Sequence, residues 1–248
     1  MSVSSSTPLN RSDDAFIRKT SMMASSPNLK LDSTEALPQS PQPTYHHRKF
    51  ANPAPLGLSG FAATTFLLSL FNLQSRGITT PNLIVGLAMA YGGLVQILAG
   101  MWEFASGNTF GATAFSSYGG FWISFGLILW PSSGITASYA GHAAAQLEQA
   151  LGLYLMTWFI FTFIILVASL RSSVAMVALF FFLDITFLLL GVGKFYPTST
   201  IITKAGGIFG IITASIAWYI AAAELITSDT SYFVLPVIDL SPSRRRKD

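Results

Sequence analysis

Charge all but disappears from this chain after Phe50. No Asp, Glu, Lys or Arg occurs over residues 51–75, 77–102, 104–147, 149–170 or 205–223. A helix rising 1.5 Å per residue needs roughly 20 apolar residues to cross about 30 Å of hydrocarbon, and each run is close to that length or longer. Apolar residues make up 51% of the chain and charged ones 10%, where soluble domains carry about a quarter charged. The predicted fold is an all-α membrane protein with six transmembrane helices, near residues 56–74, 82–104, 110–130, 150–170, 174–193 and 205–227. The breaks between them carry turn chemistry: QSRGITTPN, GNTFG, PSSG, LRSS and GVGKFYPTST. The absence of formal charge over 104–147 leaves room for a re-entrant or interfacial helix between Ile135 and Ala150.

Three domains follow from composition. Residues 1–50 are rich in Ser, Thr and Pro with no sustained apolar period, so they read as a disordered N-terminal tail. No compact apolar core near Met1 marks a secretory signal. Thr7, Ser26 and Ser40 precede prolines and RKTS spans 18–21, which makes them candidate phosphorylation sites. Residues 51–228 form the six-helix domain, and 229–248 a basic C-terminal tail.

The cations set the orientation. With six spans both tails share a side, which then holds Arg11, Arg18, Lys19, Lys30, Arg48, Lys49, Arg171, Arg244, Arg245, Arg246 and Lys247. The other side holds Arg76, Lys194 and Lys204. Eleven against three places both tails in the cytoplasm. The sequon at Asn10 then faces the cytosol and is not an expected glycosylation site.

Several functions are disfavoured. Cysteine is absent, which removes disulfides, thiolate catalysis and sulfur-ligated metals. No phosphate-binding, zinc-protease, nucleophile-elbow or dinucleotide motif occurs, so an enzyme is not expected, nor is a cofactor, a metal or a nucleic-acid partner. Three carboxylates lie in or near the spans: Glu103, Asp184 and Glu224. A carboxylate at mid-membrane costs about 2.5–3.5 kcal/mol and normally faces a bundle interior or a wet cavity. Asp184 is the deepest of the three, while Glu103 and Glu224 sit near cytoplasmic ends, and all three are candidate proton or polar sites. The predicted spans contain no Lys or Arg, which favours a small, weakly held solute. His142 stands alone in an external loop. Small residues at four-residue spacing, Ala88 and Gly92 in the second span and Gly206, Gly210 and Ala214 in the sixth, suit close helix packing.

Three stretches, NPAPLGLSGFAATTFLLSL at 52–70, YGGLVQILAGMWEFASGNTFGATAFSSYGGFW at 91–122, and GKFYP with the small-residue sixth span, resemble the acetate uptake transporter family. These proteins are also called succinate/acetate permeases, and the likeness is to the fungal branch over roughly residues 50–240. The resemblance implies six spans per protomer, a hexamer with a pathway in each protomer, and plasma-membrane movement of acetate and other short monocarboxylates. It also implies proton coupling in some members and channel-like behaviour or ammonium export in others. A non-transporting acetate sensor is a further alternative.

The resemblance also bears on particular residues. An aromatic, a tyrosine and a leucine form the family's narrow constriction, and these fall on Phe61, Tyr118 and Leu183. The signature supplies Asn52, Pro53, Pro55 and Gly57, where prolines at the start of the first span would leave helix N–H groups and the Asn52 amide free to meet a carboxylate. Asn108 and Thr109 of GNTFG offer a second helix start of the same kind.

Overall fold

A computed structural model of the chain describes residues 50–241. The expected disordered tail, its phosphorylation sites, the Asn10 sequon and the terminal basic cluster lie outside those residues.

Six long helices form among the described residues: α1 (Ala54–Asn72), α2 (Ile84–Ser106), α3 (Thr109–Leu129), α4 (Ala144–Ser169), α5 (Val174–Phe195) and α6 (Thr200–Leu225). Local chemistry sets their ends. Pro53 caps α1 from just before its start and Pro55 stands in its first turn, where a missing N–H costs no intrahelical bond. Gly107, at φ 83°, closes α2 in the left-handed region that glycine enters without strain. Asn108 and Ser173 cap α3 and α5, their side chains accepting from the backbone N–H groups of Gly111 and Met176. Inside α2, residues Ala90–Val95 widen into a π-helical turn.

The helices follow one another in space as α3, α2, α1, α6, α5, α4. Aromatic side chains close the circuit between α3 and α4, with Phe121 stacked on Tyr154 at 5.8 Å between ring centres. Two glycines show how tightly the backbones pack: a Cβ at Gly92 would stand 2.4 Å from Thr64 Oγ1, and one at Gly210 would stand 2.1 Å from Ser69 Oγ. The small residues of α2 and α6 thus serve contacts within the chain. The described residues all belong to one compact unit.

Three expectations are corrected. No helix starts at Ile135; residues 131–143 contain three short 3₁₀ turns, at Pro131–Ser133, Ala137–Tyr139 and Gly141–Ala143, the last containing His142. Helices α4 and α6 begin at Ala144 and Thr200, several residues before the expected starts at 150 and 205, because polar first turns extend beyond the apolar runs. For the same reason Lys194 and Lys204 lie in helices, in the last turn of α5 and near the start of α6, rather than in a loop.

The segment after α6 folds back. Tyr219 Oη donates to the Pro236 carbonyl at 2.6 Å, Val174 N–H to Ile238 O at 2.9 Å, and Leu240 N–H to Ser172 O at 2.9 Å. This strap ties residues 236–240 to the last turns of α6 and the α4–α5 turn.

Candidate functional site

At the end of the bundle that holds the α1 start and the α2–α3 turn, two asparagines do parallel work. The Asn52 carbonyl oxygen accepts from Ala54 N–H at 3.0 Å, and its amide donates to Glu224 Oε2 on the last turn of α6 at 2.5 Å. The Asn108 carbonyl oxygen caps α3 at Gly111, and its amide donates to Glu103 Oε2 at 2.8 Å. Each asparagine therefore stiffens a helix start and holds a carboxylate. Of the donors expected to be free at the NPAPLG and GNTFG starts, the two asparagine amides are engaged with this protein's own acids, while the Ala54 and Gly111 N–H groups donate to the asparagine carbonyl oxygens and those of Leu56 and Gly57 to the Pro53 carbonyl. Glu103 is only 2% exposed, and its Oε1 has no partner among the described residues. Pro55 and Gly57 are buried, and a Cβ at Gly57 would come within 2.9 Å of the Phe115 ring, so this glycine admits an α3 aromatic against α1. Thr109 opens α3 on the exposed side.

Nearer the middle of the bundle, Phe61, Tyr118 and Leu183 come together. They are 5%, 3% and 3% exposed, and all three belong to the same apolar core. The Phe61 and Tyr118 rings lie 5.7 Å apart between centres at 54°. Further aromatics hold the tyrosine ring: Phe161 packs edge-on and Phe180 stacks. Its hydroxyl shares a 3.0 Å hydrogen bond with Thr162 Oγ1 of α4.

Two cavities meet this trio from opposite sides. One, about 100 Å³, runs from Phe61 and Leu183 past Thr65 and Ser69 to Asn72, Lys194 and Thr203 at the helix ends remote from the asparagines. The other, about 20 Å³, lies between Phe61 and Tyr118 and is walled by Leu58, Gln96, Phe115 and Leu179 among others. Phe61 lines both, so its ring separates them. Asp184 is the residue after Leu183 on α5; it is 9% exposed, its Oδ1 has no partner among the described residues, and it lines neither cavity. Lys194 lines the larger cavity and is paired with Glu148 at 2.9 Å.

Sequence reasoning assigned no role to the wall of the larger of these two cavities. Phe61, Thr65, Ser69 and Asn72 recur at helical spacing along α1, and that stripe was the available signal. Trp122, four residues after Tyr118, lines the same cavity.

A bundle of six helices long and apolar enough to cross a membrane, with a small cavity on either side of an apolar trio near its middle, suits a narrow solute pathway. The chain belongs to the GPR1/FUN34/yaaH family, whose model matches residues 35–242. It is 53% identical to Acetate permease A of Emericella nidulans, over 81% of this chain and 70% of that protein. It is also 53% identical to Ammonia transport outward protein 2 of Saccharomyces cerevisiae, over 75% of this chain and 66% of that one. The likeness to the Succinate-acetate/proton symporter SatP of Escherichia coli is 39% identity, over 76% of this chain and 96% of the symporter. A solved structure, that of the bacterial acetate channel SatP, superposes with a TM-score of 0.67 at 37% identity, covering 76% of this chain and 99% of the channel.

Proposed function

We propose that this protein carries acetate and other short-chain monocarboxylates across the plasma membrane, with both termini in the cytoplasm. The observation that supports it is the Phe61 ring, an apolar partition between two cavities at the level of Tyr118 and Leu183. A partition of this kind passes solutes that shed water cheaply, so a two- or three-carbon acid crosses more readily than an inorganic ion or a sugar. Need for such a path is plain at neutral pH: an acid with a pKa near 4.3 is only about one part in 500 neutral at pH 7.

Protons travel with the acid, handled by Glu103 and Glu224 at the cytoplasmic mouth, with Asp184 beside the ring. Protomers assemble as a hexamer. Exposed apolar side chains on α2 and α4, among them Leu98, Trp102, Leu153 and Ile160, give each protomer faces for lipid and for its neighbours.

A second reading, ammonium export, draws on the acidity of that same mouth: Glu103 and Glu224 suit a departing cation as well as a proton. Purified protein in liposomes separates the two. Labelled acetate should enter faster than in empty vesicles and faster still under an inward proton gradient. Ammonium efflux without acetate uptake would reverse the assignment.

A further inference from the structure

We propose that the groove under the C-terminal strap binds an anionic phospholipid, one acyl chain entering the cavity between the strap, α5 and α6 while the headgroup meets Arg171 and the basic run at 244–247. The cavity holds about 410 Å³, within the roughly 300–1,000 Å³ of ligand sites. It shares no lining residue with either cavity beside Phe61.

The wall selects hydrocarbon. Val174, Ala175, Ala178, Ile216, Pro236 and Ile238 give it an apolar surface. The two hydroxyls among the lining residues are spent within the chain: Tyr219 donates to the Pro236 carbonyl, and Ser215 to the Ile211 carbonyl at 2.8 Å. No side-chain donor is left to hold a polar solute, whereas an acyl chain needs none and gains from every methylene it withdraws from water. The segment that roofs the groove is itself apolar outward. Tyr232, Phe233, Val234, Ile238 and Leu240 are exposed, and such side chains beside a membrane-crossing helix belong where headgroups meet acyl chains.

Charge selects the headgroup. The strap lies at the end of the bundle that the proposed orientation puts in the cytoplasm, the leaflet where anionic lipids concentrate. Arg171, three residues before Val174, is exposed and has no acidic partner among the described residues. Arg244, Arg245, Arg246 and Lys247 begin four residues past Leu240, within about 14 Å of it at full extension. Of the acids at this end, Glu103, Glu224 and Asp239 accept hydrogen bonds from Asn108, Asn52 and Ser241, which leaves Asp229 and Asp248 against five cations. A second copy of the chain would bring the same cations to the same level, so an anionic lipid suits the groove better than a neighbouring protomer.

The test is native mass spectrometry of the full chain released from detergent, with phosphatidylserine or phosphatidylcholine of matched acyl chains added. Wild-type protein should retain phosphatidylserine at concentrations at least about tenfold below those needed for phosphatidylcholine. Arg171→Gln should narrow that preference about fivefold, and glutamine at all four of 244–247 should remove most of it. Ala178→Trp fills the cavity and should reduce retention of both lipids, with helicity and oligomer mass as in wild type. Equal retention of the two lipids by wild type, or a preference that survives both sets of glutamine substitutions, would overturn the headgroup assignment. Undiminished phosphatidylserine retention in Ala178→Trp would overturn the cavity as its site. No lipid retained by wild type, together with an oligomer mass that falls in Ala178→Trp, would give the groove to a second copy. Retention is read without transport, so none of these failures touches acetate movement.

Discussion

The Tyr118 hydroxyl and Thr162 Oγ1 lie 3.0 Å apart, joining α3 to α4 beside the Phe61 ring. Both residues are at most 3% exposed, so the bond forms away from water and sets the rotation of the tyrosine ring. Thr162→Val should leave the Tyr118 hydroxyl unpaired and cost about 1–3 kcal/mol. Tyr118→Phe should cost a similar amount with little change in acetate affinity, because its hydroxyl serves α4 rather than substrate. In the double variant neither group is orphaned, and the losses should be well below additive. Thermal unfolding in detergent, with acetate KM measured alongside, decides this. Fully additive losses would mean the two hydroxyls act separately.

Phe61→Ala removes the ring that separates the cavities. Acetate flux per molecule should rise and succinate should enter. Truncating a buried Phe costs about 3–5 kcal/mol, so surface amount must be measured in parallel. Leu183→Ala should relax the size limit in the same direction with a smaller loss of stability. Competition of unlabelled acids of increasing length against labelled acetate is the measurement, and an unchanged cutoff in a well-expressed variant would remove these residues from the pathway.

Gly210→Ala places a Cβ 2.1 Å from the Oγ of Ser69, an α1 residue that lines the larger of the two cavities beside Phe61. Overpacking of this kind costs about 1–3 kcal/mol and should depress uptake. Adding Ser69→Ala deletes the clashing oxygen and should restore most of the stability. Failure of that rescue would trace the damage to some other contact.

The C-terminal strap should respond to acid. Asp239 accepts from the backbone N–H and hydroxyl of Ser241, and these bonds hold its carboxyl below its ordinary value near 3.9. A depressed folded value contributes stability that is complete above the ordinary value and vanishes as pH falls through the folded one. Protection of the Val174 and Leu240 amides against hydrogen exchange, corrected for intrinsic rates, should therefore hold near pH 7 and fall below about pH 4. In Asp239→Asn that step should be absent. An identical pH profile in wild type and variant would disconnect the carboxyl from the strap.

The helices were legible because runs without charge measure bilayer thickness directly, and α1, α3 and α5 fall within two residues of the expected limits at each end. The early starts of α4 and α6 were not, because hydropathy marks where hydrocarbon ends while hydrogen bonding lets a helix run on through Gln146, Glu148 or Lys204. The π turn at Ala90–Val95 leaves no periodic signature in so short a stretch. Pairing across the bundle was equally invisible: Asn52 and Glu224 are 172 residues apart, and nothing in one sequence gives the relative rotation of two helices. The constriction trio was named through family likeness, whereas the cavity under the strap emerged only when α5, α6 and residues 236–238 were placed around it.

The absence of cysteine allows one direct test of whether solute moves through the cavity that runs from Phe61 to Asn72 and Lys194. Asn72→Cys puts a single, half-buried thiol in the wall of that cavity, toward the mouth. The variant, reconstituted in liposomes, is treated from outside with a bulky membrane-impermeant thiol reagent, and labelling is confirmed by mass. Acetate uptake should fall to the level of empty vesicles in the variant and stay unchanged in similarly treated wild type. Complete labelling of Cys-substituted protein with undiminished acetate uptake would contradict a pathway through this cavity and the Phe61 ring.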